Sequence, residues 1–154
     1  MNILYRRFPV EYQLDSLDCG PASLKMIAKY FGKYYSLQSL RDRCGITKEG
    51  VSLLDLSTGA ESIGLHTLAL RCTIEELHDK IPLPAIIHWQ GNHFVVVYNI
   101  DRKHIWVSDP MKGRIKYTLD EFRDGWYVKG EKQGVLLAVE PTADFSTSKL
   151  EREQ

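Results

Sequence analysis

The stretch Asp18-Cys19-Gly20-Pro21-Ala22-Ser23-Leu24-Lys25-Met26-Ile27-Ala28-Lys29-Tyr30-Phe31-Gly32 decides how the rest of the chain must be arranged. Leu24, Ile27, Ala28 and Phe31 recur at i, i+3, i+4 and i+7, one face of a helix, and Gly32 stands where that helix would end. Pro21 suits the first turn, where its missing N–H costs nothing. A cysteine is thus placed where a helix begins, and there the exposed N–H groups and the positive end of the dipole favour S⁻. Taken alone, Cys19 reads as a small buried hydrophobe, the commoner fate of a cysteine. Catalysis requires three further parts: a base, a group that fixes the base's tautomer, and donors for an oxyanion.

Downstream of this helix the first half stays helical. Ser36 caps a second helix through Leu37, Leu40 and Arg41, and the pairs Ser52/Asp55 and Thr73/Glu76 are capping-box starts for two more. The short apolar run Leu65 to Leu70 reads as a strand. After Pro82-Leu83-Pro84 the pattern changes to β-rich runs at Ala85 to Trp89, His93 to Ile100, Ile105 to Ser108, Arg114 to Tyr117 and Val135 to Glu140, with a brief helix at Thr118 to Phe122. The fold class is α+β, with N-terminal helices that carry the cysteine packed on a C-terminal antiparallel sheet. Residues 1–141 form the domain, and 142–154, nearly devoid of apolar residues, read as a polar tail or linker.

His93 opens its strand directly after a Gly-Asn turn, so its ring stands at the end of the sheet; by itself it is more often a polar strand end than a base. A three-residue turn at Asp101 to Lys103 would pair Ile100 with His104, and Asp109 would then lie opposite Val95, on the face of His93 and diagonal to it. A two-residue turn would put Asp109 on the other face, and an Asx turn before Pro110 is its simpler role. Gln13 could swing its amide toward the sulfur and donate to an oxyanion beside the Cys19 backbone N–H; alone, it reads as an exposed loop amide. Gly20 leaves room for a substrate backbone. The order Gln, Cys, His, Asp is that of papain-like active sites.

The stretches Gln13-Leu14-Asp15-Ser16-Leu17-Asp18-Cys19-Gly20-Pro21-Ala22, His88-Trp89-Gln90-Gly91-Asn92-His93-Phe94-Val95-Val96-Val97 and Asp109-Pro110-Met111-Lys112-Gly113, with Thr47 to Ser52 between them, resemble the peptidase domain at the N-terminus of bacterial ABC transporters that mature and export bacteriocins and quorum peptides. The resemblance runs from Tyr12 to Glu140. It implies a papain-like cysteine peptidase that removes double-glycine type leaders, with Cys19 as nucleophile, His93 as base, Asp109 as orienting group and Gln13 as oxyanion donor. It also implies the partners: a precursor's leader peptide, and the transmembrane and ATPase domains of a transporter, in the same chain or a partner, on the cytoplasmic side of the bacterial membrane. Two positions depart from the family pattern: Ser23 replaces a frequent second cysteine, and Met111 replaces a frequent alanine. The rival reading is a catalytically silent domain that only holds a secretion substrate, and acyl transfer is a third outcome of the same chemistry.

Composition narrows the alternatives. Twenty basic side chains balance 20 acidic ones, so no global field draws the 154-residue chain to nucleic acid or lipid. Cys19, Cys44 and Cys72 lack CxxC spacing and fit reduced cytosolic thiols, while His66, His78, His88 and His104 lack mutual ligand spacing. No cofactor or metal is expected. No apolar run reaches the length of a membrane span, and no Walker A loop occurs.

Overall fold

The helical period around Leu24 becomes α1 (Cys19–Tyr30), and the three capping signals become α2 (Leu37–Cys44), α3 (Leu53–Ser62) and, after β1 (Leu65–Cys72), α4 (Ile74–Lys80). This computed structural model describes residues 7–147. Ser36 accepts from the Ser39 N–H at 3.0 Å, and Ser52/Asp55 and Thr73/Glu76 each form the complete reciprocal box. Each such cap is worth about 1 kcal/mol. The second half supplies β2 (Ala85–Trp89), β3 (His93–Ile100), β4 (His104–Asp109), β5 (Gly113–Thr118), α5 (Leu119–Trp126), β6 (Gly134–Pro141) and α6 (Ala143–Thr147).

Six antiparallel strands form one sheet in the order β1-β6-β2-β3-β4-β5. β2 to β5 are the expected meander. β6 returns to pair with β2 and joins β1, so the sheet is not confined to the C-terminal half. Both faces are covered. Ile86, Phe94, Val96, Leu137 and Val139 pack with Leu24, Ile27 and Leu56 of α1 and α3, while Ile87, Trp89, Val95, Val97 and Leu136 pack with Leu77, Phe122 and Trp126 of α4 and α5. Double coverage explains why Phe94-Val95-Val96-Val97 is a continuous apolar run rather than an alternating one. Fully burying Leu24 or Ile27, both at 0% exposure, stabilises the fold by about 1.5–3 kcal/mol each.

The end of packed structure lies further on than sequence patterning placed it. Thr142 donates to the Gly64 carbonyl at 2.6 Å, and Phe145 is 2% exposed in the α1–α3 core, edge-on to Phe31. A single aromatic in a polar context sufficed to anchor α6. Residues 148–154 of the expected tail lie outside the described residues.

Candidate active site

Cys19 is the first residue of α1, and the free N–H groups at that end are few. Pro21 has none, and the Ala22 N–H donates to the Asp18 carbonyl at 2.9 Å, which leaves those of Cys19 and Gly20. The sulfur therefore sits against an unspent helix N-terminus. α1 is held in place by Leu24, Met26 and Ile27 beneath it and by the buried Ser23 hydroxyl, which donates to the Phe94 carbonyl of β3 at 3.3 Å. Ser23 thus ties the helix of Cys19 to the strand of His93.

His93 is the first residue of β3 and Asp109 the last of β4, so neighbouring antiparallel strands present both at the same end of the sheet. His93 Nε2 and Asp109 Oδ1 are 2.8 Å apart, and the Cys19 side chain is near enough to the ring to favour its charged form. Because Nε2 is committed to Asp109, Nδ1 is the ring nitrogen left for another partner. Burial opposes a charge on the His93 ring, but the hydrogen bonds to Asp109 and Cys19 and the negative charge on both outweigh it and push its pKa up to about 9. Burial acts to raise the Asp109 pKa, and the His93 bond with the Met111 and Lys112 N–H groups overcomes it, so the carboxyl lies below its ordinary value. The Asx turn before Pro110 is present too, through Met111 N–H to Asp109 Oδ1 at 2.8 Å. One carboxylate oxygen therefore serves both the turn and the imidazole.

The route by which Asp109 arrives on the correct face differs from the simple turn. Ile100 pairs with Ile105 rather than His104, a shift of one residue, and a bulge between Val97 and Asn99 shifts the pairing back so that Val96 faces Ser108. The two irregularities cancel. Asp101 builds the longer loop by accepting from the Lys103 and His104 N–H groups at 2.8 and 2.7 Å.

Gln13 lies beside this constellation on the segment that crosses the Asp109 turn: its backbone N–H donates to the Pro110 carbonyl at 2.9 Å. Its Nε2 donates to the Asp15 carbonyl at 3.1 Å, while Oε1 is buried with no hydrogen-bond partner among the described residues. Leaving a buried acceptor unpaired costs about 1–3 kcal/mol.

Gly20 has a different role from the one expected. A Cβ on Gly20 would overlap Val51 Cγ2 and touch Leu56 and Phe94 at 3.6 Å, so its missing side chain admits the Thr47–Ser52 loop and the core rather than a substrate. Gly20→Ala should accordingly lower stability by about 1–3 kcal/mol, read as a fall in Tm. An unchanged Tm with altered cleavage preference would return Gly20 to the substrate's side.

Sequence reasoning passed over two charged residues at the site. Asp18, next to the thiol, is 0% exposed and receives Arg41 Nε at 2.8 Å. The doubled carboxylate of Asp15 and Asp18 signalled a need for a cation, but nothing in the pattern of α2 marked Arg41 as the one supplied. No group of three His, Cys, Asp or Glu side chains among the described residues is placed to hold a metal ion, and no helix there is long and apolar enough to cross a membrane.

Comparison with known proteins identifies the relatives of the chain and its fold. The chain is 36% identical over 142 residues to the Lactococcin-G-processing and transport ATP-binding protein LagD of Lactococcus lactis, with 89% of this chain and 19% of LagD covered. It is 34% identical over 146 residues to the Colicin V secretion/processing ATP-binding protein CvaB of Escherichia coli, with 95% and 20% covered. It thus spans only about a fifth of the length of these curated relatives. A double glycine motif protease from an AMS/PCAT transporter, solved in complex with its leader peptide, superposes with a TM-score of 0.81 at 34% identity, over 88% of this chain and 93% of that one. The peptidase domain of Streptococcus ComA shares the fold, with a TM-score of 0.79 at 24% identity over 88% of this chain and all of that one. With residues 7–144 matching the Peptidase C39 family, the chain belongs to that family and is a cysteine peptidase domain.

Proposed function

We propose that this domain cuts double-glycine type leaders from peptide precursors, working with the membrane and ATPase parts of an ABC transporter at the cytoplasmic face of a bacterial membrane. The observation that carries the reading is the 2.8 Å contact of Asp109 with His93, whose ring is coupled electrostatically to Cys19 at a helix N-terminus. Its likeness to a leader-bound protease at a TM-score of 0.81 supports the choice of substrate.

In this reading Cys19 is the nucleophile. His93, protonated at neutral pH, stands beside the Cys19 sulfur, which attacks in its thiolate form the carbonyl carbon of the last leader residue. The electron pair moves onto the carbonyl oxygen, which accepts from the Cys19 N–H and the Gln13 amide. Collapse of this intermediate breaks the C–N bond, and His93 gives its proton to the departing amine. Water, deprotonated by the now neutral ring, then releases the leader from sulfur and restores the imidazolium. Asp109 holds the ring and stabilises its charge throughout.

The test is incubation of the chain with a precursor whose leader ends in Gly-Gly, followed by mass spectrometry. Cleavage on the carboxyl side of the second glycine, with water as acceptor, is expected. A precursor that binds and stays intact would instead mark a holding domain, and transfer to an added amine a transferase. Gln13→Ala should lower kcat by roughly 10² to 10³ with KM little changed, the usual loss for one oxyanion donor. A raised KM with unchanged kcat would make Gln13 a substrate contact.

A further inference from the structure

Asp18 occupies the N-cap position of α1, yet its side chain makes no capping bond. An aspartate there ordinarily accepts from the N–H groups of the first turn. Here Oδ2 accepts the N–H groups of Leu14 and Asp15 at 3.3 and 3.2 Å, and Oδ1 accepts Arg41 Nε at 2.8 Å. The carboxylate is thereby spent on the loop before the helix, and the N–H groups of Cys19 and Gly20 are not claimed by it.

Arg41 reaches across from α2 and forks. Beyond Asp18 it places Nη2 at 3.2 Å from Asp15 Oδ2, and Nη1 at 3.4 Å from Gln38 Oε1. The planar fork suits two carboxylates at once, as a lysine ammonium does not. Asp15 closes the path: its carbonyl accepts both the Asp18 N–H at 3.2 Å and Gln13 Nε2 at 3.1 Å, and its Oδ1 accepts the Leu17 N–H at 2.8 Å. A continuous set of hydrogen bonds therefore runs from the Arg41 guanidinium through Asp15 and Asp18 to the amide of Gln13.

We infer that Arg41 is a positioning residue for catalysis: by clamping Asp15 and Asp18 it fixes the loop that orients the Gln13 amide, an inference that rests on Gln13 being the oxyanion donor. The Asp15 carbonyl takes one N–H of that amide and so sets its plane. The other N–H has no partner among the described residues and is the one available to the oxyanion. Loosening the loop misaims this donor, and because the oxyanion exists only after attack, the loss falls on kcat.

A double-mutant cycle on the chain with a Gly-Gly precursor tests the inference. Arg41→Met should lower kcat by about tenfold to a hundredfold, below the limit set by deleting the donor itself, with KM within about twofold. In a Gln13→Ala background the same change should cost less than about twofold, because the group it aims is gone. Arg41→Lys, which keeps a charge beside Asp18 and gives up the fork, should fall between wild type and Arg41→Met, and it serves as the test should the methionine variant fail to fold. Full additivity of the Arg41 and Gln13 losses would make the clamp a structural brace only. Unchanged kcat in a folded Arg41 variant overturns the inference outright. If Gln13→Ala alone leaves kcat intact, the donor assignment fails first and the inference falls with it.

Discussion

Cys19→Ala should remove the proposed leader cleavage to below detection while the domain stays folded and still holds its substrate. In the proposed mechanism the sulfur is the atom that becomes bonded to the leader, and alanine keeps the helix start intact with a side chain that fits the same space. No other thiol among the described residues can take over. Cys44 and Cys72 are each 4% exposed. Burial, reinforced by Asp55 beside one and Glu76 beside the other, pushes their pKa values up to about 12 and about 11. Both remain protonated at working pH, and the thiol is a poor nucleophile. Iodoacetamide at neutral pH should therefore alkylate the wild type at Cys19 and leave the variant unmodified. Cleavage in Cys19→Ala above trace level, or labelling of Cys44 in the folded protein, removes Cys19 from its role.

The outline of this site was legible because each part has a short-range cause. A cysteine before an amphipathic run, capping residues three apart from their partners and strand runs bounded by Gly and Asn all act within a few residues, and all became the expected elements. The proximity of His93 and Asp109 was legible only by accident of cancellation. The loop after Ile100 is one residue longer than expected, and the bulge at the far end of the same pairing restores the parity. Neither irregularity has a local signature strong enough to count in advance. Tertiary contacts between distant segments were illegible for the same reason: Phe145 under Gly64, Val51 against Gly20, and Arg41 on Asp18 are separated by many residues and settled by packing. The motif around Cys19 marked a candidate nucleophile, and its paired Asp15 and Asp18 called for a cation without showing that Arg41 would supply it.

His93→Ala should reduce kcat/KM by roughly 10⁴-fold or more, since one ring carries the proton in both half-reactions and the loss of any member of such a unit approaches the loss of all. The pH profile then separates the ring from its support. With the ring's pKa at about 9, wild-type kcat/KM should fall as pH rises through about 9, where the imidazolium loses the proton it gives to the leaving amine. The sign for stability is the same: the stabilisation from holding this proton is complete below the ordinary histidine value of about 6.5 and is lost as pH rises through about 9. Asp109→Ala removes a hydrogen bond and a negative charge that both favour the imidazolium, while burial continues to oppose it, so the alkaline limb should move down toward the ordinary histidine range as the maximal rate drops. Asp109→Asn keeps an oxygen that can accept from Nε2–H and loses the charge, so it should retain more activity than Asp109→Ala and still show the displaced limb. Activity and limb unchanged in both variants would leave Asp109 as the residue of a turn, with its 2.8 Å approach to His93 carrying no catalytic weight.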